Sequence, residues 1–449
     1  MWEVRKQALC HRDSIQSPCD CDVSQPTKHL KKQTRWYLSK THQSPEMRGK
    51  QSMKLRTKIV AISGLMTLFQ IATPALAEGK KPLDGLRGAL EPSGLSIEAE
   101  YTGEMITAHK GAADGKSYYL DNVNVMLTWD LEKAFGLSGT TFYMNVLGNS
   151  GDRPNDAIGT LEGVSNLEVA DGRFKVYEFA FEKKFADKGA LSFGYIDLNA
   201  HFYATDASGL LVGPPYGIGT ELAATGSNGP AIFPSTALAL VGTINPSEAS
   251  YVRLGVFGAR AHNWGDPGNP NNFNEGALTI AEAGLTSKGL LAVGAWRYTD
   301  KAPAYKSSGP AGSINPWGIY GLVEQPLMES DSGRAVTGFL RAGYSDGETS
   351  DFQGSVTAGI LVDQILSGRP NSQFSLGVRR AYVSDLFKDT ARLAGDTPLD
   401  AESGIEVSLA DQLGSAVTLQ GSLHYAPNPG GIRAAEDAVV SSVRLSVAF

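Results

Sequence analysis

The chain has 449 residues, with 40 Lys+Arg, 47 Asp+Glu and a formal net charge of −7; 19% are charged and 51 are glycine. That is little charge and much glycine for a soluble enzyme, in a length that suits one large barrel or a few ordinary domains. Its three cysteines, Cys10, Cys19 and Cys21, all precede Met53, so the remainder offers no disulfide framework, thiolate zinc site or thiol nucleophile.

Residues 53–77 have the layout of a secretory signal. Lys54, Arg56 and Lys58 form a basic start, 59–72 is mostly apolar, and Ala75-Leu76-Ala77 is a small-x-small cleavage site before Glu78. The apolar run is too short to be a spanning helix, and Pro74 follows it closely. A signal belongs at the start of a chain. The polar, basic, patternless segment 1–52 therefore reads as an upstream extension, with Met53 as the initiator. Cleavage after Ala77 leaves 78–449, with 27 basic and 42 acidic residues and a formal net charge of −15. A nucleic-acid partner is not expected of so acidic an exported chain.

The exported part opens with a short periplasmic segment, 78–94, in which Leu83, Leu86 and Leu90 fall at helical spacing despite Gly85 and Gly88. From Leu95 the pattern changes to period two, in which side chains alternate between the faces of a strand. Leu95, Ile97, Ala99 and Tyr101 alternate with Ser96, Glu98, Glu100 and Thr102. In 118–129, Val123, Val125, Leu127 and Trp129 oppose Asn122, Asn124 and Thr128. Strands are expected next at 140–147, at 174–182 (Tyr177, Phe179 and Phe181 against Glu178 and Glu182) and at 190–197. Softer alternation predicts further strands at 236–244, 251–260, 277–285, 290–299, 317–326, 335–345, 352–362, 373–383, 404–409 and 416–425. In the last, 438–449, Val443, Leu445, Val447 and Phe449 oppose Arg444, Ser446 and Ala448.

The links between these strands alternate long and short along the chain, with only 346–351 too brief for its place. Short turns on one rim and long loops on the other characterise an outer-membrane barrel, with periplasmic turns and extracellular loops. No stretch beyond Ala77 approaches the roughly 18 consecutive apolar residues of a spanning helix. A closed barrel is the other structure that satisfies its backbone inside lipid. The expected fold is therefore all-β: a transmembrane antiparallel up-and-down β-barrel of sixteen strands over 95–449, in a Gram-negative outer membrane. Aromatics near strand ends (Tyr101, Trp129, Trp296, Tyr298, Trp317, Tyr320, Tyr344, Tyr425 and Phe449) are expected to form interfacial girdles.

Sixteen strands enclose an aqueous lumen, and the longest loop, 198–235, is the candidate for narrowing it. Its many Gly and Pro residues specify a shaped irregular path, and Phe202, Tyr203 and Tyr216 would offer flat apolar faces to the C–H faces of sugars. Strand parity turns Glu98, Glu100, Asn122, Asn124, Glu178, Arg341, Arg379 and Arg444 inward as candidate channel residues. Arg at the lipid midplane would cost about 2–4 kcal/mol. A lining of both signs suits neutral polyols or zwitterions. His109, His201, His262 and His424 show no metal-ligand spacing, and Gly-x-Ser-x-Gly, phosphate-loop and His-Glu-x-x-His motifs are absent from the exported part. No catalytic residue, metal or cofactor is expected.

Three segments carry a resemblance. Gly194-Tyr195-Ile196-Asp197-Leu198-Asn199-Ala200-His201-Phe202-Tyr203-Ala204-Thr205, the strand Gly318-Ile319-Tyr320-Gly321-Leu322-Val323-Glu324-Gln325, and the loop Leu423-His424-Tyr425-Ala426-Pro427-Asn428-Pro429-Gly430-Gly431 resemble stretches of the carbohydrate-selective porin family, OprB type. The resemblance implies a sixteen-stranded outer-membrane barrel that passes small carbohydrates by facilitated diffusion, with those sugars and the membrane lipid as its partners. Pro214-Pro215 and the glycines after Leu210 depart from the family's Phe-rich stretch, which bears on the substrate. A general or ion-biased porin on the same scaffold is the alternative, an outer-membrane enzyme or adhesin a remoter one. Monomer and trimer are both compatible with the sequence.

Overall fold

A computed structural model describes residues 81–262, 273–306, 309–330 and 333–449. The expected upstream extension and signal lie outside the described residues. Sixteen strands close into one antiparallel barrel. In chain order its first half is β1 (Leu95–Lys110), β2 (Ser117–Asp130), β3 (Thr140–Gly151), β4 (Phe174–Lys184), β5 (Gly189–Ile196), β6 (Ala237–Ser247), β7 (Ser250–Gly258), β8 (Ala277–Leu285) and β9 (Leu290–Tyr298). A separate two-stranded hairpin follows, β10 (Ala302–Lys306) and β11 (Gly309–Ile314). The barrel resumes with β12 (Trp317–Glu329), β13 (Ala335–Ser345), β14 (Phe352–Asp363), β15 (Gln373–Val383), β16 (Ala401–Leu413), β17 (Val417–Ala426) and β18 (Ala438–Ala448). Neighbours in the chain pair directly, β9 pairs with β12, and β1 closes on β18 in register from Glu100–Ala448 to Lys110–Val439. The barrel has no edge, so each of its sixteen strands has a ladder partner on both sides, as lipid demands.

Period two decides the faces. On the outer wall Leu254, Val293, Ile319 and Val443 are all more than half exposed, where lipid would cover them. The inward positions are small, polar or charged, except where large side chains such as Phe257, Ile280, Trp296 and Leu322 pack inside the barrel. At the closing seam Arg444 pairs with the fully buried Glu104 at 3.0 Å. The helix Asp84–Leu90, at the segment where helical spacing was expected, sits at the short-turn end of the lumen. Its Arg87 donates to the carbonyls of Ile97 and Phe449, tying the start of the described chain to its terminus.

All sixteen expected barrel strands are present, but several details differ. The stretch 300–316, expected as a plain loop, contains the β10–β11 hairpin, and 384–403 contains the helix Asp385–Ala394 and the start of β16. The link expected at 107–117 shrinks, because β1 and β2 extend well beyond the membrane-sized segment. Tyr177 does not share the outer face with Phe179 and Phe181. A β-bulge opposite Asn145 and Val146 turns it into the wall, where it is 5% exposed and donates to Asp197 Oδ2 at 2.6 Å.

The aromatic girdle also divides. Trp317, Tyr344 and Tyr425 are exposed on the outer wall. Trp296, Tyr298 and Tyr320 stand at inward positions and are buried against the loop 197–236, while Tyr101 is covered by Tyr119 and Asp121. The same period that places apolar residues outside puts Trp296, Tyr298 and Tyr320 inside, while Tyr101 stays on the outer wall.

Val293, midway along β9, tests the outer face. Val293→Arg is expected to lower the stability of the folded barrel by about 2–4 kcal/mol, measured by denaturant titration in lipid vesicles.

Candidate functional site

Two long loops leave the rim and fold into the barrel. The loop between β3 and β4 (152–173) and the loop between β5 and β6 (197–236) meet where Asn166 N donates to Val212 O at 2.8 Å and Thr220 Oγ1 to Glu162 Oε1 at 2.5 Å. Their backbone is irregular, with Gly213, Pro214, Pro215, Gly217 and Gly219 in the second loop. Such a path cannot satisfy its own N–H and C=O groups by a ladder, and burial makes each unsatisfied one expensive.

The wall supplies the missing partners. Arg341 on β13, 1% exposed, donates to the carbonyls of Tyr203, Tyr216 and Gly217 and lies 5.0 Å from the centre of the Tyr203 ring. Wall carboxylates take the loop N–H groups. Glu282 on β8 accepts from Tyr203 N at 3.0 Å, and Glu324 on β12 from Ala207 N at 2.7 Å. Glu406 on β16 accepts from Val212 N and Gly213 N at 2.6 and 3.0 Å. The first loop is held likewise: Glu402 accepts from Leu161 N, Arg379 donates to Gly163 O at 3.0 Å and pairs with Glu162, and Glu104 accepts from Ser165 Oγ. Burial raises the pKa of the loop carboxyls Glu162 and Glu221. Arg379 offsets part of this rise at Glu162, and hydrogen bonds from Ser355 and Tyr203 offset part of it at Glu221; both stay raised.

The sequence-chosen residues fall into three groups. Arg341, Arg379 and Arg444 do point inward, but into contacts with the loops; Arg444 also donates to Asn166 Oδ1 at 2.8 Å. Glu178 points inward and accepts from Asp197 N at 3.2 Å, at the root of the second loop. Glu98, Glu100 and Asn124 line an open recess of about 680 Å³ beside Arg87 at the short-turn end, while Asn122 is buried deeper in the same wall. Phe202, Tyr203 and Tyr216, expected to offer free faces, are at most 2% exposed. Tyr203 lies on Tyr320 with ring centres 4.1 Å apart, and Phe202 and Tyr216 pack edge-on against Phe257 and Phe339. Inward wall aromatics cover the faces that the loop sequence alone left open.

Glu221, Glu282, Glu324, Glu402 and Glu406 escaped sequence reasoning. Parity along β8, β12 and β16 would have placed four of them inward; nothing in the sequence marks Glu221, which the loop itself carries. A vestibule of about 960 Å³ opens at the short-turn end, beside β4 to β7. Glu182, Lys184, Lys188, His201, Tyr251 and Arg253 are among its lining residues. Burial, with help from Arg253, lowers the His201 pKa to about 4, so its imidazole is neutral at physiological pH and can both donate and accept.

A closed sixteen-stranded barrel with an apolar outer belt and loops folded into a polar lumen is an outer-membrane diffusion channel. The model of the carbohydrate-selective porin, OprB family, matches residues 114–449, and the chain belongs to that family. Porin B of Pseudomonas aeruginosa is 22% identical over 417 residues, covering 81% of this chain and 90% of that protein. The high-pH structure of Pseudomonas putida OprB superposes with a TM-score of 0.72 at 20% identity, covering 82% of this chain and 98% of that one. The low-pH structure gives 0.52 at 16% identity, covering 81% and 96%. The protein is thus a carbohydrate-selective outer-membrane porin and not an enzyme.

Two expectations follow. Arg341→Leu leaves the Tyr203 carbonyl without a donor, at roughly 1–3 kcal/mol, and takes one donor each from the Tyr216 and Gly217 carbonyls, which keep Ser208 Oγ and Asn199 Nδ2. The loop should detach, and single-channel conductance should rise while the barrel still folds. Glu168, in the first loop, accepts from Asn155 N at 3.0 Å, and burial raises its pKa to about 7. A carboxyl raised in the folded state stabilises it fully below its unfolded pKa, and loses that contribution as pH rises through the folded value. Hydrogen exchange across 152–173 should therefore accelerate between about pH 4.5 and 7, beyond its intrinsic pH dependence. Glu168→Gln should remove the excess.

Proposed function

We propose that small neutral carbohydrates diffuse through a fixed passage between the inserted loops and the wall, reaching the periplasm through the vestibule around His201 and Arg253. The supporting observation is how the lumen's charges are employed. Arg341, Arg379, Arg444 and the carboxylates Glu104, Glu282, Glu402 and Glu406 are taken up by loop backbone or by one another. Charges so occupied project little net field into the passage.

The vestibule keeps both signs. Glu182, Asp187 and Glu248 line it together with Lys184, Lys188 and Arg253, Glu182 pairing with Lys184 at 3.5 Å, and His201 and Tyr251 add uncharged polar groups. Hydroxyls can donate to the carboxylates and accept from the cations, whereas an ion of either sign meets repulsion from half the lining. Glu98, Glu100 and Asn124 at the neighbouring recess form a second set of candidate contacts. The inserted loop 197–236 acts in this reading as a rigid constriction whose aromatic residues fix its position.

Single-channel recording in planar bilayers tests the reading. Glucose, and separately maltose, should reduce the current in a saturable manner, with a reversal potential near zero in a KCl gradient. Arg253→Ala should weaken the block by roughly three- to tenfold, the scale of one or two lost hydrogen bonds. Strong ion selectivity with no block by any sugar would instead identify a general or ion-biased channel.

A further inference from the structure

Arg380 faces the wrong way for a charge in this wall. Parity in β15 turns Leu376, Val378 and Tyr382 outward, at 37, 46 and 40% exposure. Arg380 falls between Val378 and Tyr382, projects with them and is exposed, while its neighbour Arg379 is buried inside. Its guanidinium donates to Ser403 Oγ at 3.0 Å and lies 5.2 Å from the centre of the Tyr382 ring. Among the described residues it has no carboxylate partner. An exposed arginine on a lipid-facing surface, without a protein anion, calls for an anion from elsewhere.

Beside it the outer wall is indented. A groove of about 350 Å³ runs across β14 to β17, lined by Val356, Val378, Ile405, Tyr425 and Pro427, with Arg380 and Ser403 also on its wall. Cross-strand pairing makes this one continuous surface: Val356 sits opposite Arg380, Arg380 opposite Ser403, and Ile405 opposite Tyr425. Arg380 is three residues from the end of β15 that leads into the loop carrying the helix Asp385–Ala394, and Ser403 two residues into β16 from that same loop. The site therefore lies toward the extracellular rim, at the level of the outer leaflet. The carboxylate of Asp437, which accepts from Tyr425 Oη at 2.9 Å, also faces Lys110 at 3.8 Å.

We propose that this is a binding site for a phosphorylated lipid of the outer leaflet. The phosphate sits on the Arg380 guanidinium and one acyl chain lies in the groove over Val378 and Ile405. Guanidinium matches phosphate as a planar multiple donor. The Tyr382 ring holds that plane in place. Ser403 Oγ accepts from Arg380, so its own proton is free to donate to a second phosphate oxygen. An apolar channel adjoining a single cation selects an amphiphile over a small anion, because only an amphiphile occupies both parts.

The test uses the folded barrel in detergent, titrated with diphosphoryl lipid A and read by native mass spectrometry. Arg380→Gln should weaken binding about tenfold, the scale of one lost charge-assisted hydrogen bond. Val378→Trp fills the groove without changing charge and should weaken it comparably. Enzymatically dephosphorylated lipid A should bind the unaltered protein no better than lipid A binds Arg380→Gln. Arg297→Gln removes another exposed arginine near the same rim, at the end of β9, and should leave binding unchanged. Each variant is first confirmed as folded by its compact migration in unheated SDS gels. Equal binding by Arg380→Gln and the unaltered protein overturns the proposal, as does an equal loss in Arg297→Gln. Displacement of the lipid by inorganic phosphate at matched concentration overturns it as well, since that would make the site one for a simple anion.

Discussion

From the middle of β13, Arg341 reaches three carbonyls of the inserted loop, while Glu282, Glu324 and Glu406 reach its N–H groups from strands on either side. The rest of the lumen depends on this exchange. A Gly- and Pro-rich chain buried inside a barrel has no ladder to join, and water is largely excluded from its contacts with the wall. Its donors and acceptors must find fixed partners or the loop will not stay there. Cationic side chains take the carbonyls and anionic ones the amides. Sixteen strands offer enough inward positions for one of each wherever the loop needs it. Packing then completes the fit, with the Tyr203–Tyr320, Phe202–Phe257 and Tyr216–Phe339 contacts sealing the same surface.

How far the sequence reveals this follows from which rules are local. Alternation along a strand is local, so all sixteen barrel strands were legible, and with them the inward aim of Arg341, Arg379 and Arg444. The destination of those side chains was not legible. Whether an inward arginine meets solute or loop depends on where a loop more than a hundred residues away in sequence lies, and no periodicity encodes that. Phe202 and Tyr216 show the same limit: their composition signals an apolar surface, but Phe257 and Phe339 decide that it is covered. Tyr177 was misplaced because a bulge adds one residue and reverses parity beyond it, with no marker in the residue types. The β10–β11 hairpin was missed because Pro303, Gly309, Pro310 and Gly312 give its strands the composition of a loop.

The outer wall obeys the same economy with the opposite solvent. Lipid tolerates apolar residues almost anywhere on the belt, so the informative positions are the polar ones. Tyr101, Tyr119, Asp121 and Ser150 form one hydrogen-bonded cluster and satisfy each other. Arg380 has a neutral hydroxyl and a ring for company, no carboxylate partner among the described residues, and an apolar groove beside it; the groove is what distinguishes it from the exposed Arg297 and points to the membrane itself as the missing partner.

The proposed selectivity for neutral solutes in so ionisable a lumen is then less paradoxical than composition suggests. Counting charges treats each as a source of field in the passage, and by that count Arg341, Glu282 and Glu406 would make the lumen strongly polar. Binding to peptide dipoles or to an opposite charge screens part of each field, so that in the proposed reading the inner passage acts on a passing molecule chiefly by its shape and the vestibule by its polar groups. The geometry of that shape is set by the loops and the loops by the charges. In the proposed reading the ionisable residues of the wall therefore act on the solute at one remove, by determining how wide and how irregular a path it finds.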